Sequence, residues 1–267
     1  MTRIPILLYH SISLTPPPVI APFTVTPSDF ERQLDLVAAG GFSVLTVSAY
    51  ANSLTGREPL PPRPLVITFD DGFADFYETA LPALRERGLR ATLYVPTALL
   101  RGSPEPVRLR SLGDALLEWS QLRPLREAGV EIGAHSHTHP HLDTLSTAAA
   151  RDEIVHSKGL LEDELGTEVD TFAYPNGYSS PRVRRLVMEA GFRSACAVKN
   201  AFSAPGDDVF TIARLTLTAA TPLSRFRAWL AGDGAPDAPA RERLQTRGWR
   251  AYRRARSLAL GRPGSDF

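Results

Sequence analysis

Short apolar segments alternate with longer amphipathic segments along most of this chain of 267 residues. The apolar segments have the length of buried strands, and the amphipathic segments have the length and periodicity of helices. This alternation is typical of a parallel sheet whose strands are joined by crossover helices. We therefore expect an α/β protein of seven or eight strand-helix repeats, and a single α/β domain of this length is common.

Helix boundaries follow from capping residues and glycines. Ser28 and Glu31 resemble a capping box, and Ser146 can cap a long helix that ends at Gly166. Residues 101–114 have no regular pattern and predict an irregular insertion. The predicted strands cover residues 4–9, 42–47, 64–69, 91–95, 130–134, 170–174, 194–198 and 210–218, and the predicted helices cover residues 28–40, 73–87, 116–128 and 146–165, with another beginning at Ser180-Pro181.

Charge is distributed unevenly although the net charge is only +1. Residues 241–262 contain eight arginines and one acid, and residues 231–240 are rich in Gly, Pro and Asp. We therefore divide the chain into a domain of residues 1–231, a linker of residues 232–240 and an arginine-rich, helical C-terminal tail of residues 241–267. In that tail Arg243, Arg247, Arg250 and Arg254 would share one helical face, which suits an anionic membrane surface or an acidic partner. The alternative is a solvated or loosely packed tail.

The single cysteine, Cys196, excludes an intramolecular disulfide, and its apolar surroundings indicate a core residue rather than a reactive thiol. The apolar stretch of residues 4–9 is too short for the core of a secretory signal and is interpreted as a strand. No stretch reaches the length of a transmembrane helix. A cytoplasmic location is therefore our expectation.

Four of the six histidines lie within the seven residues from His135 to His141. Neutral imidazole is the commonest protein ligand for zinc and similar metals. In an extended chain all four side chains would point to one side, whereas in a turn only His135 and His139 would do so. Gly133 and Pro140 favour the end of a strand and a tight turn, and hence the His135–His139 pair. The alternative is a surface loop with incidental histidines.

Two adjacent carboxylates, Asp70 and Asp71, follow the strand predicted for residues 64–69. An Asp-Gly pair also occurs in ordinary turns, which is the simpler interpretation. Two carboxylates at one strand end repel each other, and a cation bound by one of them relieves the repulsion and leaves the other ionised as a base. Two histidines and one carboxylate would form a three-ligand site with open positions, which is typical of a catalytic metal ion.

Three motifs resemble, in order and spacing, those of the polysaccharide deacetylases, a family also called NodB-homology proteins or carbohydrate esterase family 4. The resemblance covers residues 3–220, and the first two motifs together are specific, whereas the third alone is weak. The motifs are Thr68-Phe69-Asp70-Asp71-Gly72, His135-Ser136-His137-Thr138-His139-Pro140 and Phe172-Ala173-Tyr174-Pro175-Asn176-Gly177.

The resemblance implies a distorted (β/α)7-type barrel with parallel strands and one divalent metal ion, most often Zn²⁺. It implies that Asp71, His135 and His139 bind this ion. Asp70 would be the general base, which is chemically consistent because a bound metal lowers the pKa of water towards ~7. The backbone N–H of Asn176 would stabilise the oxyanion together with the metal.

The sequence departs from the family pattern at two places. Ala173 stands where an arginine usually orients the catalytic aspartate, and no histidine follows His156, so the usual late histidine acid is missing. The motif Ile6-Leu7-Leu8-Tyr9-His10-Ser11 resembles that of the poly-N-acetylglucosamine deacetylase branch, which implies that His10 protonates the departing amine. In the same way Arg214 would pair with Asp70. The alternatives are an ordinary histidine at a strand end and a surface arginine.

The expected function is metal-dependent hydrolysis of N-acetyl groups from an amino sugar or an N-acetylated glycan. The expected partner is therefore an N-acetylated carbohydrate, and no nucleic acid is expected. One alternative is a related amidohydrolase or O-acetyl esterase that acts on a non-polymeric substrate, and another is a non-catalytic carbohydrate-binding barrel. Tyr174 and Pro175 are assigned to substrate binding, and Trp119 and Phe73 are further candidates for stacking on a sugar, although such aromatic residues more often belong to the core.

Overall fold

A sheet of parallel strands forms the centre of the molecule. The computed structural model describes residues 2–107, 112, 115–239 and 244–260. The predicted segment 101–114 thus lies partly outside the described residues. The strands are β1 (Ile6–Tyr9), β2 (Ser11–Ile12), β3 (Thr24–Val25), β4 (Ser43–Leu45), β5 (Pro64–Phe69), β6 (Thr92–Val95), β7 (Glu131–Ala134), β8 (Thr171–Ala173), β9 (Ser194–Cys196) and β10 (Leu215–Thr216).

The order of the main sheet is β10-β1-β5-β6-β7-β8-β9, with β4 paired to the first half of β5, while β2 and β3 form a small separate sheet. The sheet curls until its two ends approach each other. Ile212 donates its N–H to the carbonyl of Ala195 in β9 and accepts the N–H of Ala197, and Leu215, three residues later, pairs with Leu7 of β1. The predicted fold class, a distorted barrel of parallel strands, is confirmed.

Helices surround this sheet and bury one face each against it. The long helix begins after Ser146, whose hydroxyl accepts the N–H of Ala149, and ends at Gly166 in a left-handed conformation, as predicted. The helices are α1 (Pro27–Ala39), α2 (Val47–Leu54), α3 (Leu81–Glu86), α4 (Leu122–Glu127), α5 (Thr147–Leu165), α6 (Pro181–Glu189), α7 (Leu223–Leu230) and α8 (Leu244–Leu260).

Several predicted boundaries were wrong. The cap of α1 is Thr26, not Ser28, because Pro27 occupies the first helical position and its fixed φ favours an extended residue before it. The helix predicted for residues 73–87 begins instead with a π-helical turn at Phe76–Ala80, and the one predicted for residues 116–128 is reduced to α4 and a preceding 3-10 turn. The strand predicted for residues 210–218 is only β10.

The C-terminal helix α8 contacts the barrel. The Arg253 guanidinium donates to Asp143 at 2.5 Å and lies over the ring of Tyr178, while Arg250 donates to the carbonyl of Ser179. Arg243, one of the four arginines of the predicted basic face, lies outside the described residues. Within the described part of the chain, no helix has the length and apolar character that crossing a membrane requires.

Candidate active site

The carboxyl ends of β5 and β7 lead into the two predicted motifs. β5 ends at Phe69 and β7 ends at Ala134, and β6 lies between these two strands in the sheet. Because the strands are parallel, the residues that follow them emerge at the same edge. Asp70 and Asp71 therefore meet His135 and His139 across the top of the barrel, and all four side chains are buried.

Three of the predicted side chains converge on one point. The Oδ1 atom of Asp71 lies 3.4 Å from the Nε2 atoms of both His135 and His139, and these two Nε2 atoms are 3.2 Å apart. A tetrahedral ion with bonds of about 2.0–2.1 Å would separate its ligand atoms by about 3.3 Å. The chemistry and spacing of this donor set therefore fit one divalent metal ion with an open coordination position.

The turn after β7 explains why His135 and His139 face each other. Ser136 and His139 both have left-handed backbones, with φ of 63° and 61°, and the Ser136 hydroxyl accepts the N–H of His139. This tight turn is not helical, yet it brings together the two histidines that are four residues apart. His137 points elsewhere, because its Nδ1 atom lies 2.8 Å from the hydroxyl of Thr97.

A backbone contact orients the first of these imidazoles. The Nδ1 atom of His135 lies 2.7 Å from the carbonyl oxygen of Ala173, which leaves Nε2 towards Asp71. Metal-binding histidines commonly donate their other nitrogen to such an acceptor. Ala173, which stands in place of the usual arginine, therefore contributes through its backbone, while its side chain is fully buried.

Asp70 is paired with Arg214. The two terminal guanidinium nitrogens donate to the two carboxylate oxygens at 2.6 and 2.7 Å, and Arg214 has no exposed surface. Its Nε atom donates to the carbonyl of Ala197, and Nη1 also reaches the hydroxyl of Thr68. The arginine that the usual motif places at the position of Ala173, the last residue of β8, is thus replaced by one on the segment between β9 and β10.

The charges in this cluster shift its protonation equilibria. Burial alone would raise the pKa values of Asp70 and Asp71. The charge of Arg214 lowers the pKa of Asp70 below its usual range, and the hydrogen bond from His135 lowers the pKa of Asp71. Burial lowers the pKa of His139 to about 4, so its imidazole is neutral at pH 7. Ionised carboxylates and a neutral imidazole are the states that bind metal ions.

His10 emerges from the end of β1 beside the same cluster. Its Nδ1 atom is buried and makes no hydrogen bond with any residue that the structure describes, and its ring packs 5.3 Å from that of Phe23. Burial lowers the pKa of His10, and the charges of Asp71 and Asp70 act in the opposite direction. Both carboxylates are therefore electrostatically coupled to this imidazole.

The third motif forms a tight turn after β8. Asn176 has a left-handed backbone with φ of 56°, and Gly177 donates its N–H to the carbonyl of Tyr174. A Cβ atom on Gly177 would lie 2.5 Å from the backbone nitrogen of Val198, so only glycine fits at this position. With Asp71, Ser136, His139 and Asn200, which lines the cavity above, Asn176 makes five non-glycine residues with positive φ at the site, which is where strained backbone tends to occur.

A cavity of about 690 Å³ opens above these groups. Its lining includes His10, both aspartates, His135, His139 and Asn176. The sequence did not identify the rest of its wall, because no motif surrounds those residues and α7 has an ordinary amphipathic pattern. The missed lining residues include Tyr178, Asn200, Thr218, Thr221, Arg225 and Trp229.

The assignment of Tyr174 and Pro175 to substrate binding was wrong. Tyr174 has no exposed surface, and its hydroxyl donates to the carbonyl of Phe210, so the ring belongs to the core. Pro175 is also buried and does not line the cavity. Trp119 donates to Glu164 and Phe73 packs in a separate apolar cluster, so neither reaches the cavity. Tyr178, four residues after Tyr174, is the aromatic residue of this segment that lines it.

The protein is a parallel α/β barrel with a buried Asp-His-His donor set beside an arginine-paired aspartate. The sequence model of the polysaccharide deacetylase family matches residues 57–195, which is more than half of the chain. The chain therefore belongs to the polysaccharide deacetylase family. Members of this family are metal-dependent hydrolases that act on amide bonds.

The chain is also similar to individual deacetylases. The chain is 23% identical over 229 residues to YxkH of Bacillus subtilis, whose name assigns it to the polysaccharide deacetylases, and the match covers 85% of this chain and 76% of YxkH. It is 26% identical over 120 residues to the poly-beta-1,6-N-acetyl-D-glucosamine N-deacetylase of Escherichia coli K12, covering 42% of this chain but only 18% of that protein. The deacetylase PplD of Streptococcus pyogenes has the same fold, with a TM-score of 0.74, 23% identity and coverage of 85% of this chain and 97% of PplD.

Proposed function

We propose that this protein removes N-acetyl groups from an amino sugar or an N-acetylated glycan with the help of one divalent metal ion. The observation that carries the proposal is the convergence of Asp71, His135 and His139 within 3.4 Å of one another beside Asp70, under an open cavity. Membership of the polysaccharide deacetylase family supports it. The N-deacetylase name of the Escherichia coli relative supports the N-acetyl specificity.

Asp71, His135 and His139 would hold the metal ion. Two imidazoles and one carboxylate suit Zn²⁺, which is therefore the ion we propose. When bound, such an ion supplies Lewis-acid chemistry, which polarises an acyl oxygen and makes water more acidic. The hydrogen bond from His135 to the carbonyl of Ala173 fixes which imidazole nitrogen faces the ion.

Asp70 would accept the proton that the attacking water loses. Arg214 keeps this carboxylate ionised and donates a hydrogen bond to each of its oxygen atoms. The orientation of the Asp70 carboxylate is therefore set before substrate arrives. The lowered pKa makes Asp70 a weak base, which is sufficient where the water is itself acidified.

His10 would give a proton to the departing amine. It stands on the cavity wall with the aspartates, and the hydrogen-bonding capacity of its Nδ1 atom is not used by the described residues. His10 would act in its protonated form, which the charges of Asp71 and Asp70 favour, and it would take up that proton from solvent before the step. Asp70 takes one proton from water and later releases it to solvent, and His10 gives one to the nitrogen, so the hydrolysis balances. The backbone N–H of Asn176, in the left-handed turn that lines the same cavity, would donate to the oxyanion.

We also propose that the chain consists of a barrel of residues 1–231, a linker of residues 232–240 and a tail of residues 241–267. We assign to the tail a supporting function, since Arg253 contacts the ring of Tyr178, a residue of the cavity wall. The basic face of Arg243, Arg247, Arg250 and Arg254 is the part of the tail proposed to contact an anionic membrane surface or an acidic partner.

An acetate-release assay tests the proposed activity. The purified protein, supplied with Zn²⁺ or Co²⁺, is incubated with N-acetylated oligosaccharides, small N-acetylated amino-sugar conjugates and O-acetyl esters. Release from the N-acetylated sugars that Asp70→Asn abolishes supports the proposal. Release only from O-acetyl esters would instead indicate an esterase, and binding of oligosaccharide without any release would indicate a non-catalytic barrel.

A further inference from the structure

A second group of potential metal ligands lies outside the cavity. Glu105, His137 and His156 each present one donor atom, and these atoms all lie within 4.8 Å of one another. The three residues come from separate parts of the chain, since Glu105 lies between β6 and α4, His137 follows β7, and His156 lies on α5. None of them lines the cavity, so the proposed deacetylase chemistry does not use them.

The orientation of His137 resembles that of a metal ligand. Its Nδ1 atom is 2.8 Å from the hydroxyl of Thr97, which fixes the ring and leaves Nε2 available. Metal-binding imidazoles are commonly held in this way through the nitrogen that does not bind the metal. The backbone is fixed as well, because the N–H of His137 donates to Glu153 and its carbonyl accepts from Ala98.

The other two residues complete the group. The ring of His156 meets that of His137 edge to face, with centroids 4.6 Å apart. Its Nε2 atom is buried and lies 3.1 Å from a carboxylate oxygen of Glu105, without the geometry of a hydrogen bond. Two imidazoles and one carboxylate with room for water are a ligand set that Zn²⁺ and similar divalent ions accept.

We propose that Glu105, His137 and His156 form a second divalent-metal site, separate from the one at Asp71, His135 and His139. Glu105 and His156 have 59% and 39% of their side chains exposed, so the ion would exchange more readily than the buried one. An ion bound here would join α5 and the segment containing Glu105 to the turn that carries His135 and His139. The second site would therefore stabilise the turn on which the first depends.

Metal titration of the full-length, metal-free protein tests this inference. Calorimetry with Zn²⁺ and absorption with Co²⁺ should each show two binding classes in the wild type. His156→Ala and Glu105→Gln should each weaken only the weaker class, by more than about 100-fold, which exceeds the usual loss of an outer hydrogen-bonding partner. Val155→Ala, an exposed neighbour on α5, is the matched control and should retain both classes.

Asp71→Asn separates the two sites. It should abolish the tighter metal binding at the buried site and leave the weaker binding at Glu105, His137 and His156 unchanged. Loss of metal binding at one site can therefore be measured independently of the other. Thr97→Val tests the orientation of His137, because loss of its hydroxyl should weaken only the weaker class, by about 10- to 100-fold. A single binding class in the wild type, or a weaker class that survives both His156→Ala and Glu105→Gln in folded protein, would overturn the inference.

Discussion

Arg214 donates to both carboxylate oxygens of Asp70, at 2.6 and 2.7 Å, although 144 residues separate them in the sequence. Neither side chain is exposed by more than 3%. A buried pair of this kind is costly to break, because the remaining partner keeps a charge that water cannot reach. The pair joins the end of β5 to the segment that closes the barrel.

Removal of Arg214 should shift the pH dependence of activity. Burial favours the neutral form of Asp70, and the charge of Arg214 is the largest opposing influence, so Arg214→Met should raise the pKa of Asp70. The acidic limb of the kcat/KM profile should therefore move to higher pH. Arg214→Lys, which keeps the charge but loses the paired contact, should move it less. Arg193→Met, at an exposed arginine, is the control, and an unmoved limb in Arg214→Met would show that Asp70 is not the titrating base.

The same substitution should destabilise the fold. Arg214→Met leaves a buried carboxylate without its partner, at a cost of about 3–5 kcal/mol in the free energy of unfolding near neutral pH. Asp70 has a lowered pKa in the folded protein, so its contribution to stability is present above the pKa of the unfolded chain and is lost as the pH falls through the folded value. Denaturant unfolding at several pH values measures both effects. Equal stability of wild type and variant near neutral pH would contradict this account.

Asp70→Asn should keep the metal and lose the activity. Asp70 is not among the three converging ligands, and the amide cannot accept the proton from water. We expect one tightly bound metal ion per chain as in the wild type, with kcat lower by at least about 10²-fold. Glu131→Gln, at a half-buried carboxylate that accepts from Val47 and Thr92 and does not line the cavity, is the control. Undiminished turnover in the folded Asp70→Asn variant would remove Asp70 as the base.

His10→Ala should slow the chemical step without unfolding the protein. The Nδ1 atom of His10 makes no hydrogen bond with the described residues, so little native contact is lost, whereas loss of a general acid lowers kcat by about 10²- to 10⁴-fold. Substrates whose leaving amine is less basic should be affected less, because they need the proton less. A kcat equal to that of the wild type would show that His10 is an ordinary histidine at a strand end.

Arg253→Met should loosen the C-terminal helix. The substitution removes the nearer of two arginines from the buried Asp143, leaving Arg250 at 3.7 Å, and it removes the cation over the ring of Tyr178. We expect a loss of about 1–3 kcal/mol in stability and a raised KM, since Tyr178 lines the cavity. The neighbouring Arg254 is exposed, so Arg254→Met is the matched control. If both variants resemble the wild type, α8 does not support the cavity wall.

The sequence indicates much of this fold because the relevant signals are local. The strand of residues 64–69 is found with the predicted bounds, since it is a continuous buried run between a proline and two aspartates. The helix after Ser146 is also found, because its cap and its C-terminal glycine are both next to it in sequence. Because the strands are parallel, the motifs that follow them had to meet at one edge of the sheet.

Other features depend on contacts that no local pattern encodes. Helix α2 was missed because it follows a strand of only three residues and its eight residues carry no distinct signal beyond the Thr46 cap. Tyr174 was misplaced because an aromatic residue in a motif can face either the core or the cavity, and the hydrogen bond to Phe210 decides between them. The position of α8 depends on the Arg253–Asp143 pair, whose members are 110 residues apart.

Anomalous diffraction from crystals grown with Zn²⁺ would show whether Asp71, His135 and His139 hold a metal ion. We expect a strong peak within bonding distance of Oδ1 of Asp71 and the Nε2 atoms of His135 and His139, at about 2.0–2.2 Å from each. Asp70 should lie beside this ion with both of its oxygens still bound to Arg214. An absence of zinc density among these three atoms, or an ion held there by other groups while they point apart, would contradict the account.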